Sequence, residues 1–199
     1  MKRRSFLQQF AQGAAAASAL LLNDSAKARP KVTTRQRYLR PPGALTEGDF
    51  LARCIRCGQC GEACPNRCIE FFSPRGGLGA ANTPYITPRS QACILCMKCT
   101  QACPTGALQA LQRTAEDVLG KVRMGKARVD KTLCLSWQGK SCGVCYRACP
   151  LADVAITVGY MEQPTVTEQC VGCGLCERSC IQMPQAIKVI PQHTLESLA

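Results

Sequence analysis

The 199-residue chain contains one histidine and one tryptophan, and aromatic residues make up only 5% of it. With a single imidazole, His193, catalytic schemes that need a pair of histidines are excluded. No Gly-rich phosphate loop and no cluster of acids accompanies it, which argues against an enzyme active site of its own. Acids are scarce too: 13 Asp and Glu face 25 Lys and Arg, for a formal net charge of +12. The 46% hydrophobic fraction counts cysteine and alanine. Leu, Ile, Val and Phe together are only about a fifth of the chain, close to the level at which a chain cannot build a core. A large hydrocarbon core is therefore excluded. Long apolar runs are missing as well, since the Ala-rich stretch 11–22 is too short and too weakly apolar to span a bilayer.

What the chain does have is cysteine, 17 residues of it. Sixteen fall into four repeats. The first is Cys54-x2-Cys57-x2-Cys60-x3-Cys64-Pro65, and the second is Cys93-x2-Cys96-x2-Cys99-x3-Cys103-Pro104. The fourth is Cys170-x2-Cys173-x2-Cys176-x3-Cys180. The third keeps Cys142-x2-Cys145-x3-Cys149-Pro150, with its first cysteine, Cys134, displaced upstream. An internal repeat of this kind defines architecture. The spacing is that of bacterial ferredoxins that bind [4Fe–4S] clusters, in which three cysteines of a run hold one cube and the fourth reaches the other cube. Soft thiolates suit iron–sulfur chemistry. A disulfide framework is the usual reading of an exported cysteine-rich chain, but these triplets are too dense for eight separate bridges. Structural zinc prefers two pairs of ligands per site, not triplets plus one.

The fourth-cysteine exchange between adjacent repeats gives four ligand sets: Cys54, Cys57, Cys60 and Cys103 for cluster one, and Cys93, Cys96, Cys99 and Cys64 for cluster two. Cluster three takes Cys134, Cys142, Cys145 and Cys180, and cluster four takes Cys170, Cys173, Cys176 and Cys149. A nested topology, with repeats two and three inside one and four, is the competing arrangement. Cys68 is the spare thiol, read as a small buried group beside cluster two. Trp137 is expected to pack over cluster three, Tyr146 to pack beside Cys145, and His193 to lie at the surface. The fourth repeat lacks a proline after Cys180, with Pro184 four residues on.

β-prone segments flank the cysteine runs at 68–72, 85–87, 127–130, 154–158, 165–167 and 186–190, and the Cys-x3-Cys portions read as short helical turns. The expected fold is α+β: two tandem, pseudo-twofold, ferredoxin-like modules over 43–113 and 124–191, with little regular secondary structure. The polar stretch 112–126 would connect them. Ahead of them, residues 29–42 read as a basic linker, extended and stopped by Pro41-Pro42-Gly43. Residues 1–28 read as an export signal, with a basic start, a short apolar run and a small-residue exit at Ala26-Lys27-Ala28. Arg3-Arg4-Ser5-Phe6-Leu7 is of the twin-arginine type. The charge then takes on another meaning. Without residues 1–28 the chain carries about +9, and four oxidised clusters with their thiolates, at about 2− each, bring it close to neutrality. Most basic residues read as counter-charge to clusters, which removes the case for nucleic acid.

The twin-arginine start, the Arg40-Pro41-Pro42-Gly43-Ala44-Leu45 segment, Thr83-Pro84-Tyr85, Arg123-Met124-Gly125, the stretched third repeat and Ala186-Ile187-Lys188-Val189 together resemble the MauM/NapG family of exported ferredoxin-type proteins. The regular second triplet, Cys93, Cys96 and Cys99, departs from family members that carry insertions there and is similar to the related NapF-type proteins. The resemblance, NapG-like above all, implies a periplasmic electron-transfer subunit rather than an enzyme, carrying four [4Fe–4S] clusters. It implies as partners a membrane quinol dehydrogenase (NapH-like), through which the protein is membrane-associated, and a periplasmic redox enzyme such as nitrate reductase, or a cytochrome. The alternative it implies is a MauM-type accessory, maturation or electron-transfer role in methylamine utilisation.

Overall fold

Each cysteine triplet must wrap its backbone tightly around one point, and the backbone does so with left-handed residues. The residue after the second cysteine has positive φ in all four repeats: Gly58 (79°), Met97 (61°), Gly143 (54°) and Gly174 (84°). In repeats one, two and four the residue before that cysteine is also left-handed, as Arg56, Leu95 and Gly172. Each of the residues after it caps a short helical turn that carries the third cysteine. These turns are α2 (Gln59–Glu62), α3 (Lys98–Gln101), α5 (Val144–Arg147) and α6 (Leu175–Ser179). They follow α1 (Glu47–Arg53) and are interleaved with α4 (Ala115–Lys121); α7 (Gln192–Glu196) ends the structure. The computed structural model describes residues 38–73 and 79–196, so the export signal at 1–28 and most of the basic segment lie outside the described residues.

Strands pair as in two ferredoxin-like halves. In the first half, β1 (Glu70–Phe71) pairs antiparallel with β2 (Pro84–Tyr85), between repeats one and two. An outer bridge joins Ala44 to Leu108, with Gln109 N–H donating to Gly43 O at 2.8 Å. In the second half, β4 (Ile156–Val158) pairs with β5 (Pro164–Val166) between repeats three and four. The outer pair is β3 (Gly125–Val129) against β6 (Ile187–Pro191), with Gly125 opposite Pro191 and Val129 opposite Ile187. Alternation along these two strands turns Ala127, Ile187 and Val189 inward, as a strand with one buried face requires. Helix packing follows the same halves: α2 lies against α3, and α5 against α6. The described residues belong to one compact unit.

Two segments expected as linkers are structural. At the described end of the basic segment, Leu39 exchanges backbone hydrogen bonds with Ile86, each 2.8 Å, and Leu39, Pro41 and Pro42 are buried. Arg40 is only 6% exposed. Its Nε donates to Glu47 Oε2 at 2.9 Å, and its second nitrogen closes a fork on the other Glu47 oxygen. The remaining nitrogen donates to Thr83 Oγ1 at 3.0 Å and Pro84 O at 2.7 Å. Tyr38, Phe50 and Phe72 pack around the guanidinium. The base can be buried because each of its three nitrogens has a partner, as burial of charge demands. The expected connector 112–126 is also ordered. Thr114 caps α4 by accepting from Asp117 N–H at 3.2 Å, and Val118, Val122 and Met124 are buried. Polar composition concealed an amphipathic turn.

Candidate iron–sulfur site

Four cavities, of about 290 to 390 Å³ counting their open mouths, are ringed by cysteine. Cavity one has Cys54, Cys57, Cys60 and Cys103 on its wall. Cavity two has Cys64, Cys93, Cys96 and Cys99, with Cys68 beside them. Cavity three has Cys134, Cys142, Cys145 and Cys180. Cavity four has Cys149, Cys170, Cys173 and Cys176. In every case three cysteines come from one repeat and the fourth from its sequence neighbour. The displaced Cys134 reaches the wall because the 3-10 turn Ser136–Gln138 folds the extra residues of the third repeat aside.

The thiols surround these cavities rather than converge on a point. Among the described residues, no three His, Cys, Asp or Glu side chains stand close enough to hold a single ion. A tetrahedral zinc–thiolate centre, with Zn–S near 2.3 Å, would pull its sulfurs together. The left-handed residues described above form nests, whose successive N–H groups suit an anionic iron–sulfur group. Backbone donors reach sulfur already, one from a nest (Leu95) and two from outside the nests (Leu108 and Ala127). Leu95 N–H points at Cys93 Sγ (3.4 Å), Leu108 N–H at Cys103 Sγ (3.4 Å) and Ala127 N–H at Cys170 Sγ (3.5 Å). Gly172 serves a close approach as well as a turn, since a Cβ there would lie 2.5 Å from the backbone of Gly125. The donor set, the nests and the cavities fit [4Fe–4S] clusters.

Electrostatics agree with a site built around a cationic metal core. Burial pushes the Cys60 and Cys145 thiols up to about 11, and Cys99 and Cys173 up to about 12. Burial raises the Cys176 thiol well above its usual value, with the charges of Cys173, Cys170, Cys145 and Cys149 adding to it. Cys103 behaves differently: burial opposes ionisation there, but donors from Leu108 and Thr105 outweigh it and its pKa is lowered. Buried thiolates need compensation, which iron supplies as the protons leave.

The remaining singled-out residues are placed as follows. Cys68 is buried, 3.6 Å from Cys64 Sγ, and its pKa is raised by hydrogen bonding to Cys93 and by burial. Trp137 is not on the wall of cavity three, where Leu135 and Ser136 stand instead; its ring lies under Lys131 Nζ at 4.0 Å. The Tyr146 hydroxyl turns to Asp153, donating at 2.8 Å. His193 is half-buried and stacks on Tyr38 with ring centroids 4.7 Å apart, so it is a packing residue rather than a free surface group. The burial of Arg40 was not legible from its own neighbours. The signal that could have found it is Glu47, seven residues downstream.

Comparison with known proteins agrees with the site. A family model described as a 4Fe-4S dicluster domain matches residues 53–107 and again 92–153, and a second model with the same description matches 19–68. The ferredoxin-type protein NapG of Escherichia coli is 39% identical over 165 residues, covering 77% of this chain and 70% of that protein. The methylamine utilization ferredoxin-type protein MauM of Methylobacillus flagellatus is 36% identical over 208 residues, covering 96% and 85%. The MauM of Paracoccus denitrificans is 36% identical over 169 residues, covering 78% and 72%. With cysteine-ringed cavities suited to [4Fe–4S] clusters and relatives matched over most of its length, the chain belongs to the NapG/MauM family of ferredoxin-type iron–sulfur electron-transfer proteins.

Proposed function

We propose that this protein is an exported electron relay carrying four [4Fe–4S] clusters, passing electrons from a membrane quinol dehydrogenase partner to a periplasmic reductase such as nitrate reductase. The observation that carries it is the set of four cavities, each ringed by three cysteines of one repeat and one of its neighbour. In this reading the sixteen cysteines are the ligands, in the four adjacent-repeat sets, and the lining of the cavities supports that grouping. When bound, each cluster supplies a one-electron redox centre and breaks no substrate bond. The chain's residues do the rest. The thiolates fix the centres in place, and the N–H groups of Leu95, Leu108 and Ala127 stabilise negative charge on sulfur, which raises the potential of the ligated centre. The protein acts as a carrier, not as an enzyme, and its twin-arginine start would export it after folding around its clusters. Among the described residues, no helix is long and apolar enough to cross a membrane.

Anaerobic purification with iron and sulfide analysis and an EPR-monitored redox titration tests this reading. About 16 Fe and 16 sulfide per chain are expected from four cubes. About 8 Fe, or tightly bound zinc, would sink it. Pairing is tested by combining Cys54→Ala with Cys103→Ala. If both hold one cluster, either single variant and the double all keep about 12 Fe, whereas a nested arrangement takes the double lower. Replacing Arg3 and Arg4 by lysine should strand the precursor in the cytoplasm, and unimpaired export would reject the signal. A second reading, an accessory role in methylamine utilisation, is supported by the match to MauM over 96% of the chain. Neighbouring genes for methylamine dehydrogenase would favour it, and genes for a quinol dehydrogenase and a molybdenum reductase the relay.

A further inference from the structure

Four redox centres in one chain can be wired in several orders, and sequence order is only one of them. Three junctions between cysteine-bearing segments decide among these orders. The first lies within the first half: α2 packs on α3, bringing together Cys60 of cavity one and Cys99 of cavity two, both buried. The second lies within the second half: α5 packs on α6, bringing together Cys145 of cavity three and Cys176 of cavity four. The third joins the halves. Cys93 N–H donates to Cys173 O at 3.0 Å, a direct backbone bond between a cysteine of cavity two and a cysteine of cavity four.

That third junction is built as a seam. Arg89, four residues before Cys93, places its guanidinium on the carbonyls of Glu177 (3.3 Å), Arg178 (2.9 Å) and Cys180 (3.0 Å), at the end of the fourth repeat. The three carbonyls share the two N–H groups of one Arg89 nitrogen, Nη1, and this charge-assisted contact ties the two loops together. The approach is close: a Cβ on Gly174 would sit 2.5 Å from Pro88 Cβ. Gly174 directly follows Cys173, so the seam runs at the cysteine loops themselves.

We infer that the four sites are wired in the order one, two, four, three, so that the centres held by the Cys54 and Cys134 sets are the two ends and electrons cross between the halves at the Cys93–Cys173 bond. This rests on the four-cluster reading. Of the three junctions between cysteine-bearing segments, sites two and four each take part in two and sites one and three in one. Cys180, on the wall of cavity three, meets the seam through its carbonyl and Arg89 rather than through a cysteine of the first half. A one-electron donor protein reduces one end. Each hop then oxidises its donor centre by one electron and reduces its acceptor by one, with no bond made or broken, and a one-electron acceptor protein is reduced at the other end. The chain folds back on itself, so the last repeat in sequence is an interior site in the relay and the third repeat is terminal.

The test uses the full-length holoprotein, fully reduced with dithionite, and reads magnetic interaction between neighbouring clusters by EPR. Cys57→Ala, Cys96→Ala, Cys142→Ala and Cys173→Ala each remove a ligand of sites one, two, three and four. Iron analysis confirms the loss of about 4 Fe in each. Removing site two should leave site one magnetically isolated, and removing site four should isolate site three. Removing site one or site three should relieve interaction on a single neighbour. If alanine variants fail to assemble, the corresponding serine variants keep an oxygen ligand and change one signal, and that change should spread only to the neighbours named. Site one still coupled without site two, or site three still coupled without site four, would overturn the order. A wild-type content near 8 Fe would instead overturn the four-cluster reading on which it stands.

Discussion

Replacing Arg40 by methionine tests whether the Arg-Pro-Pro-Gly segment is part of the fold. Methionine keeps most of the apolar volume between Tyr38, Phe50 and Phe72 but removes the guanidinium and its four hydrogen bonds. Taking one partner from a buried ion pair costs about 3–5 kcal/mol. Two features set the value at the low end. The Glu47 side chain is 27% exposed and can rehydrate, and Thr83 Oγ1 keeps its donation to Ala80 O at 2.6 Å. Pro84 O loses its donor inside the structure, which costs about 1–3 kcal/mol and forms part of the same total. The expected loss is about 3 kcal/mol, a large share of the 5–15 kcal/mol that a domain has. Because unfolding releases iron irreversibly, the quantity to measure is a rate: anaerobic bleaching of the visible cluster absorbance in guanidinium. If the contact is already broken in the transition state, about 3 kcal/mol corresponds to roughly 100-fold faster bleaching. Arg40→Lys should fall between, since an ammonium cannot reproduce the fork on Glu47. Removing Glu47 as well should add little to Arg40→Met, because the pair acts as a unit. Bleaching within about fivefold of wild type, or less than about 1 kcal/mol, would refute the reasoning and return the segment to the status of a linker.

Two further outcomes follow from side chains near the cavities and the seam. Cys64→Ala should keep about 16 Fe, because Cys68 Sγ, 3.6 Å from Cys64 Sγ and on the same cavity wall, can take its place, while Cys64→Ala combined with Cys68→Ala should fall to about 12 Fe; an equal loss in the single variant would show that Cys68 cannot ligate. His193 has its pKa lowered, by burial first, so the folded state prefers the neutral ring. The stability this gives is present above the unfolded value of about 6.5 and is lost as pH falls through the lower folded value. His193→Phe retains the stack on Tyr38 without a titrating group, and its bleaching rate should rise less than that of wild type between about pH 7 and pH 5; superimposable pH profiles would show that the ring does not couple to folding.

The parts of the molecule that sequence made legible are those written in short-range spacing. Cysteines at i, i+3, i+6 and i+10 require a tight loop followed by a helical turn, and α2, α3 and α6 stand there; the stretched third repeat keeps the last three of these positions and forms α5. The short β-prone runs fall on the observed strands to within a few residues, because each is bounded by a cysteine loop or a turn. The same spacing suggests adjacent-repeat sets, with a nested pairing beside them, and the cysteines of each adjacent-repeat set line one cavity. Composition misled at residues 38–42 and 112–126. Runs of basic or polar residues read as solvated, yet Arg40 finds Glu47, Thr83 and Pro84, and α4 buries Val118 while showing its charges to solvent.

What spacing could not express is how the halves meet. The bond from Cys93 N–H to Cys173 O joins backbone atoms 80 positions apart, and a backbone donor leaves no trace in residue type. Arg89 was one base among 25, and nothing local set it apart from those taken as counter-charge. The described ion pairs sharpen that view of charge. Arg40 is matched by Glu47, Lys121 by Asp117, Lys126 by Glu168 and Arg147 by Glu162. Several bases therefore meet acids at contact distance, and Arg89 spends its charge on carbonyl oxygens. The excess of positive charge then acts on the cavities as a field summed over distance rather than as a set of contacts, which sets the mean potential of the sites. Differences between sites must come from what touches sulfur: the N–H groups at Cys93, Cys103 and Cys170, and the thiol of Cys68 beside Cys64 and Cys93. Cavity two carries both kinds of donor. In the order inferred here it is an interior site, where a raised potential would hold an electron between the two halves rather than at a docking end.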